Sequence, residues 1–229
     1  MRDRIITFFS DLLSVILGIV ITFTIQGMID RASDKKEVRS ALELVRTELQ
    51  SNMDDIAVMT DYLRQEGRSA QYMLDHRQTI HDCPLDSLYY HTGVLFASAS
   101  ITTCQDALEL LKMSSLFQKI NNNPLSMKII RAYDACEIIT DNMNHHIALR
   151  DERFENSVTD QSVKVFASSG FIDIRDYIKT DYGLYAIRSL SSMTEPTEFT
   201  DVSDMQIAID AIDEYLAGRR HHSRKSKVR

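Results

Sequence analysis

The sequence predicts an all-α protein: one N-terminal transmembrane helix, then a helical body built on two long antiparallel helices plus shorter helices. Three observations carry that expectation. Seven Gly, three Pro and no Trp among 229 residues leave long stretches without the punctuation that many short strands and turns require. From Ile5 to Ile29 there is no Lys, Arg, His or Pro, and Asp11 is the only charge. At about 1.5 Å of rise per residue, that stretch crosses a hydrocarbon core of about 30 Å. Two later stretches, beginning at Val38 and Leu125, keep apolar residues at helical spacing for many turns.

In the first segment the polar and small residues share one face. Thr7, Asp11, Ser14, Gly18, Thr22 and Gln26 follow one another at steps of three or four residues. The segment is too long for a signal peptide, and Gln26-Gly27-Met28-Ile29-Asp30 stands where a small-x-small cleavage site would lie. A carboxylate turned to hydrocarbon costs several kcal/mol unless it is shallow, protonated or facing a partner or water. Asp11 lies about two turns from the N-terminus, within reach of the interface, and Gly18 permits close approach of a second helix. The stripe therefore reads as a face that meets copies of itself, with a water-lined pore as the alternative. Arg2 and Arg4 precede the segment, whereas Arg31, Lys35, Lys36, Arg39 and Arg46 follow it. The positive-inside rule then places the C-terminal body in the cytoplasm, against the bacterial inner membrane.

The expected divisions are an anchor with short flanks at 1–31, a helical soluble domain at 32–218 and a basic flexible tail at 219–229. From Asp34 to about Arg77, Val38, Leu42, Val45, Leu49, Asn52, Ile56, Met59 and Leu63 alternate four and three residues apart. This is a heptad seam interrupted only by Asn52, a residue that in coiled coils fixes register or strand number. The seam pairs either with a second copy or with later helices of the same chain. Residues 81–87 read as a loop, and Leu88 to Ile101 as an apolar, helical run. Thr103 is the expected N-cap of a helix Cys104–Met113, and Ser114 or Ser115 that of a short turn Leu116–Ile120.

Asn121-Asn122-Asn123-Pro124 is the clearest boundary in the body, since Asn123 suits a cap and Pro124 a first helical turn. Leu125, Ile129, Tyr133, Cys136, Thr140, Met143, Ile147, Arg150 and Phe154 then hold one face for about eight turns, the expected antiparallel partner of the first helix. Ser168-Ser169-Gly170 ends that region. Helices are expected around Thr180–Ser192 and from Ser203 to Ala217, separated near Pro196, with Gly218 as the final stop.

The net charge of −7 conceals an asymmetry. Arg219, Arg220, Arg224, Lys225, Lys227 and Arg229 give the tail +6 with no acid, residues 1–31 balance to zero, and residues 32–218 hold −13. An acidic body is a poor phosphate-neutralising surface, so no nucleic-acid partner is expected. The tail suits an anionic membrane surface or a solubilising end. Cys83, Cys104 and Cys136 form no CxxC pair, so neither zinc nor a disulfide framework is indicated. Cys104 and Cys136 lie in helical patterns and read as small core residues.

Candidate chemistry is sparse. His145, His146, Arg150, Asp151 and Glu152 form the densest polar cluster, and Asp141 and His145 share a helical face. Without a metalloprotease signature they read as inter-helix hydrogen bonding rather than metal ligation. Arg77 and His81 follow the order of the Arg-to-His motif of HEPN-type ribonucleases, but with three intervening residues they fall one short of that family's minimum spacing. Tyr89-Tyr90-His91 reads as an aromatic patch or as core. Ser168-Ser169-Gly170 lacks the glycines and lysine of a phosphate loop, and no nucleophile elbow is present. No catalytic residue, cofactor or metal is expected.

Ile16-Leu17-Gly18-Ile19-Val20-Ile21 followed by Gln26, then Leu42, Leu49 and Asn52, and later Ala107 through Ser115, form a sequence of parts that resembles a family of uncharacterised single-pass bacterial membrane proteins. That family is common in the Bacteroidetes and known as a domain of unknown function. The resembling segments span about half the chain, and the family's Asn-Asn-Trp after the Gln is absent here. The resemblance implies an anchored helical architecture and no activity. The functional expectation is a membrane-anchored, homo-oligomeric, non-catalytic scaffold, sensor or effector. Its partners would be the lipid bilayer, further copies of the chain and an unidentified protein. A pore-forming or membrane-perturbing effector is the alternative, and a ribonuclease comes third.

Overall fold

The computed structural model describes residues 2–97, 99–159, 174–191 and 200–226, with side chains at 26, 32–97, 99–154, 174–191 and 200–218. Among the described residues every regular element is helical. Helix α1 runs unbroken from Arg2 to Asp75, about 111 Å at the rise of an α-helix. No Pro interrupts it, because the first in the chain is Pro84. The expected division between residues 31 and 32 therefore falls inside one continuous helix. Among the described residues no helix is long and apolar enough to cross a membrane. The side chains of Thr7, Asp11, Ser14, Gly18 and Thr22 lie outside the described set, and Gln26 is exposed.

After α1 come a 3-10 turn (Ile80–Asp82), α2 (Leu85–Leu95), α3 (Asp106–Met113), α4 (Leu116–Lys119), α5 (Asn123–Thr159), α6 (Ile174–Tyr177), α7 (Asp181–Ser191) and α8 (Ser203–Ser226). The expected loop at 81–87 is shorter than anticipated, and the apolar run is helical only to Leu95. Residues 99–105 form a strap without regular secondary structure. Ser168-Ser169-Gly170 and Pro196 lie outside the described residues.

The two long helices are not antiparallel. Tyr133 Oη donates to Glu48 Oε1 at 2.6 Å, and Arg150 Nη1 donates to Glu66 Oε1 at 2.6 Å. Partners thus advance together, by 17 residues on α5 and 18 on α1, so the helices run parallel. The reason is the connection. Residues 76–122 descend along α1 through α2, the strap, α3 and α4, so α5 starts again at the end where Asp34 lies. Lys119 reaches Asp34 at 2.7 Å. The antiparallel neighbour of both is α8. Tyr215 Oη donates to the Ile120 carbonyl at 2.7 Å, just before α5 begins, and Arg46 meets Asp213 at 2.7 Å.

Both predicted faces are buried. Val38, Leu42, Val45, Leu49, Asn52, Ile56, Met59 and Leu63 all lie in the interior, as do Leu125, Ile129, Tyr133, Cys136, Thr140, Met143, Ile147, Arg150 and Phe154. The seam therefore packs inside its own chain, against α3, α4, α5 and α8. At about 1.5–3 kcal/mol for each large aliphatic side chain removed from water, this stripe is the main source of cohesion. A second cluster, with Met73, Ile80, Leu88, Tyr177 and Ile187, joins the end of α1 to α2, α6 and α7.

Several local expectations shift. Cys104 is exposed rather than buried, because it lies on the strap and not in a helix. Thr103 does not cap α3; its hydroxyl lies 3.3 Å from that of Thr140. The amide of Ala107 instead donates to both Glu48 oxygens, at 3.2 and 3.0 Å, so a carboxylate from α1 caps α3. Ser115 makes no side-chain cap and takes a left-handed φ of 57° between α3 and α4. At the Asn run, Asn121 takes φ 50°, a conformation Asn tolerates. Asn122 rather than Asn123 caps α5, accepting from Leu125 N–H at 3.3 Å. Gly218 does not stop α8, which continues to Ser226. Gly183 is forced by packing, since a Cβ there would lie 2.1 Å from the Tyr177 carbonyl oxygen.

Candidate functional site

The densest polar grouping lies where the two cores meet. Glu66 on α1 and Arg150 on α5 are both fully buried, and they form a 2.6 Å ion pair. Arg150 also donates to Tyr62 Oη at 3.0 Å, and its Nε and Nη2 reach Asp151 Oδ1 at 2.8 and 2.7 Å. Tyr62 in turn donates to the Ala97 carbonyl at 2.8 Å, which holds the chain just after α2 against α1. His146 Nε2 lies 3.6 Å from the second Glu66 oxygen. Burial opposes the charge on Arg150, but hydrogen bonding and attraction from Glu66 outweigh it and hold the guanidinium protonated. Burial pushes the Tyr62 hydroxyl up from its ordinary range. One guanidinium thus answers two carboxylates, Glu66 fully buried and Asp151 half exposed, and ties α5 to α1.

Two asparagines extend this alignment along the strap. Asn52 Nδ2 donates to the Cys104 carbonyl at 2.8 Å, and Cys104 N–H donates back to Asn52 Oδ1 at 2.9 Å. Asn144 grips Ile101 in the same two-handed way, at 2.8 and 3.1 Å. Each side-chain amide thus pairs with both backbone groups of one strap residue, one amide from α1 and one from α5. Sequence reasoning missed both clamps, although Asn52 had signalled itself by interrupting an apolar seam. Below them Tyr133 donates to Glu48, and burial followed by that bond raises the phenol's pKa.

The other candidate residues scatter. Asp141 and His145 are exposed on α5, and Glu152 lies exposed beyond Arg150. Arg77 donates to the Ile178 carbonyl at 3.3 Å, and His81 Nε2 contacts Lys179 Nζ. Tyr89 and Tyr90 are exposed, whereas His91 stacks on Tyr72 with centroids 4.0 Å apart and bonds Ser69 at 3.0 Å. Burial, then the neighbouring His76, lowers the His91 pKa. Glu48, Cys104 and Asp106 bring three possible metal-ligand atoms within 4.8 Å of one another. Three ligands fall one short of a closed structural zinc site, and both Glu48 oxygens already accept hydrogen bonds. Among the described residues the surface hollows include a groove of about 380 Å³ between α1 and the α3–α4 hairpin, bordered by Lys36, Leu44, Leu110 and Leu116. The side chains of Arg219, Arg220, Arg224 and Lys225 lie outside the described set, as do Lys227 and Arg229 altogether.

No known family's sequence profile matches the chain, and no characterised protein or solved structure resembles it.

Proposed function

We propose that the chain is a membrane-anchored, homo-oligomeric, non-catalytic scaffold, sensor or effector of the bacterial inner membrane, its body in the cytoplasm. The observation that carries this is the polar stripe Thr7, Asp11, Ser14, Gly18, Thr22 and Gln26 on an otherwise apolar segment. The segment continues without a joint into the longest helix of the body. Because the 38–63 seam is buried within the chain, self-association falls to the stripe, whose Ser14, Gly18 and Thr22 form a small-xxx-small face. One continuous helix would then join the anchor to the core, the route by which an event at either end would reach the other.

The test is mass measurement of the detergent-solubilised chain. The wild type is expected to be an oligomer and the Ser14→Leu, Gly18→Leu, Thr22→Leu variant a monomer. A strictly monomeric wild type defeats the reading. Asp11 and Gln26 on the same stripe favour a second reading, an oligomeric pore. Replacing Asp11, Ser14, Thr22 and Gln26 with Leu should then abolish ion leak from liposomes that the wild type permeabilises.

A further inference from the structure

Three segments far apart in sequence meet at one end of the body. Lys119, in the last turn of α4, bonds Asp34, only five residues beyond the end of the apolar segment at Ile29. Asp213 on α8 lies level with Arg46 on α1, and α8 runs toward the end where α5 begins. From Asp213 to Ser226, α8 descends about 20 Å, while α1 from Arg46 back to Arg31 covers about 22 Å. The last turn of α8 therefore lies level with the first turn of α1 beyond Ile29. Here the fold adds what the tail's composition alone does not show: the basic end is carried back to the point where the apolar segment leaves the body.

Charge follows the same geometry. Segments 30–39, 112–124 and 219–229 contain twelve basic residues against three acids, Asp30, Asp34 and Glu37, a net of +9. With −7 on the whole chain, −16 remains on everything else. A negatively charged plane touching this end attracts it and repels the rest of the body, so charge alone would hold α1 upright on such a plane. Anionic headgroups of the leaflet from which α1 emerges are a plane of that kind, and juxtamembrane basic clusters bind them over a range of one Debye length. A phosphate polymer in solution fits less well, because a body of net −16 faces it on every other side.

We propose that this base, formed by the start of the body portion of α1, the α4 turn with Lys119 and the end of α8, docks on anionic lipid headgroups. The docking sets the angle between the body and the membrane. It rests on the anchored reading above, and one experiment separates the two. The full chain is placed in nanodiscs of phosphatidylcholine, alone or mixed with phosphatidylglycerol, and amide hydrogen exchange is followed. Exchange in 112–124 and 219–229 is expected to slow about tenfold in the anionic discs and to recover at about 0.5 M salt, while 85–95 at the far end stays unchanged. Changing the six basic residues of 219–229 to Gln should remove the slowing. Equal exchange in both lipids overturns the proposal, and so does slowing by added RNA in neutral discs with none from anionic lipid. Alkaline carbonate extraction of the same chain from vesicles reports on the anchor. Retention with equal exchange defeats the headgroup face alone, whereas release with the anionic slowing intact defeats the anchor and keeps the face.

Discussion

At the scale of single residues, the chain keeps its charges inside only where they are answered. Glu66 and Arg150 have almost no exposure, and an isolated ion in such a place costs several kcal/mol. Removing one partner is therefore far worse than removing both. Arg150→Met is expected to lower the unfolding free energy by about 3–5 kcal/mol, while Arg150→Met with Glu66→Leu should recover most of it or exceed the wild type. Denaturant unfolding of the two variants checks this, and equal losses would mean the pair is not a pair. His91 gives a pH dependence whose sign is fixed by its lowered pKa. The folded state binds its proton less readily than the unfolded chain, so the contribution is fully present above the ordinary histidine value of about 6.5. It is lost as pH falls through the lowered folded value. The groups around the ring, Ser69, Tyr72, Tyr90 and His76, include no carboxylate to reverse that sign. His91→Gln should therefore flatten the fall in melting temperature between pH 7 and pH 5, measured against the wild type in the same buffers.

At the scale of elements, the strap of residues 99–105 has no regular secondary structure and is held by side chains from both long helices. Its peptide groups have no helix of their own, and buried backbone donors and acceptors must find partners. Asn52 and Asn144 supply them. Asn52→Leu would strengthen the seam if the residue were a register device of a coiled coil, at the expense of specificity. Here it should instead cost about 2–4 kcal/mol, because both backbone groups of Cys104 lose their partners. Thermal unfolding of Asn52→Leu separates the two, since a rise in stability would remove the clamp. The same element shows where legibility stopped. The faces Val38–Leu63 and Leu125–Phe154 could be read residue by residue, because burial along a helix repeats with the helix's own period. The strap could not, since an irregular segment pinned by side-chain amides has no period, and its apolar residues continue the pattern of α2. The caps went astray for a related reason. Glu48 reaches α3 from 59 residues away, and no local rule finds a donor's partner at that range.

At the scale of the whole molecule, direction matters more than inventory. Two long helices with complementary faces suggest a hairpin, yet a hairpin needs a short link, and here 47 residues intervene. Those residues return the chain to its starting end, so α5 rises beside α1 and α8 comes down. That order brings the last turn of α8 back toward the start of the body; an antiparallel α5 would have left the succession of helices pointing it the other way. The arrangement is open to a direct distance measurement. Spin labels at Leu44 and Asp61 on α1 and at Met127 and His145 on α5 all occupy exposed positions. The background is Cys83→Ser, Cys104→Ser and Cys136→Ala. In the parallel register set by Glu48–Tyr133 and Glu66–Arg150, the pairs 44–127 and 61–145 are offset by only about 3 Å along the axis. The crossed pairs 44–145 and 61–127 are offset by about 24–29 Å. An antiparallel pair of helices cannot make both of the first two distances shorter than the crossed two, whatever its register, because the crossed pairs then share one level that lies between the levels of the other two. Double electron–electron resonance on the four double-labelled chains is expected to find the first two distances shorter than the crossed two. A crossed pair shorter than either of the first two would overturn the topology and with it the placement of the last turn of α8.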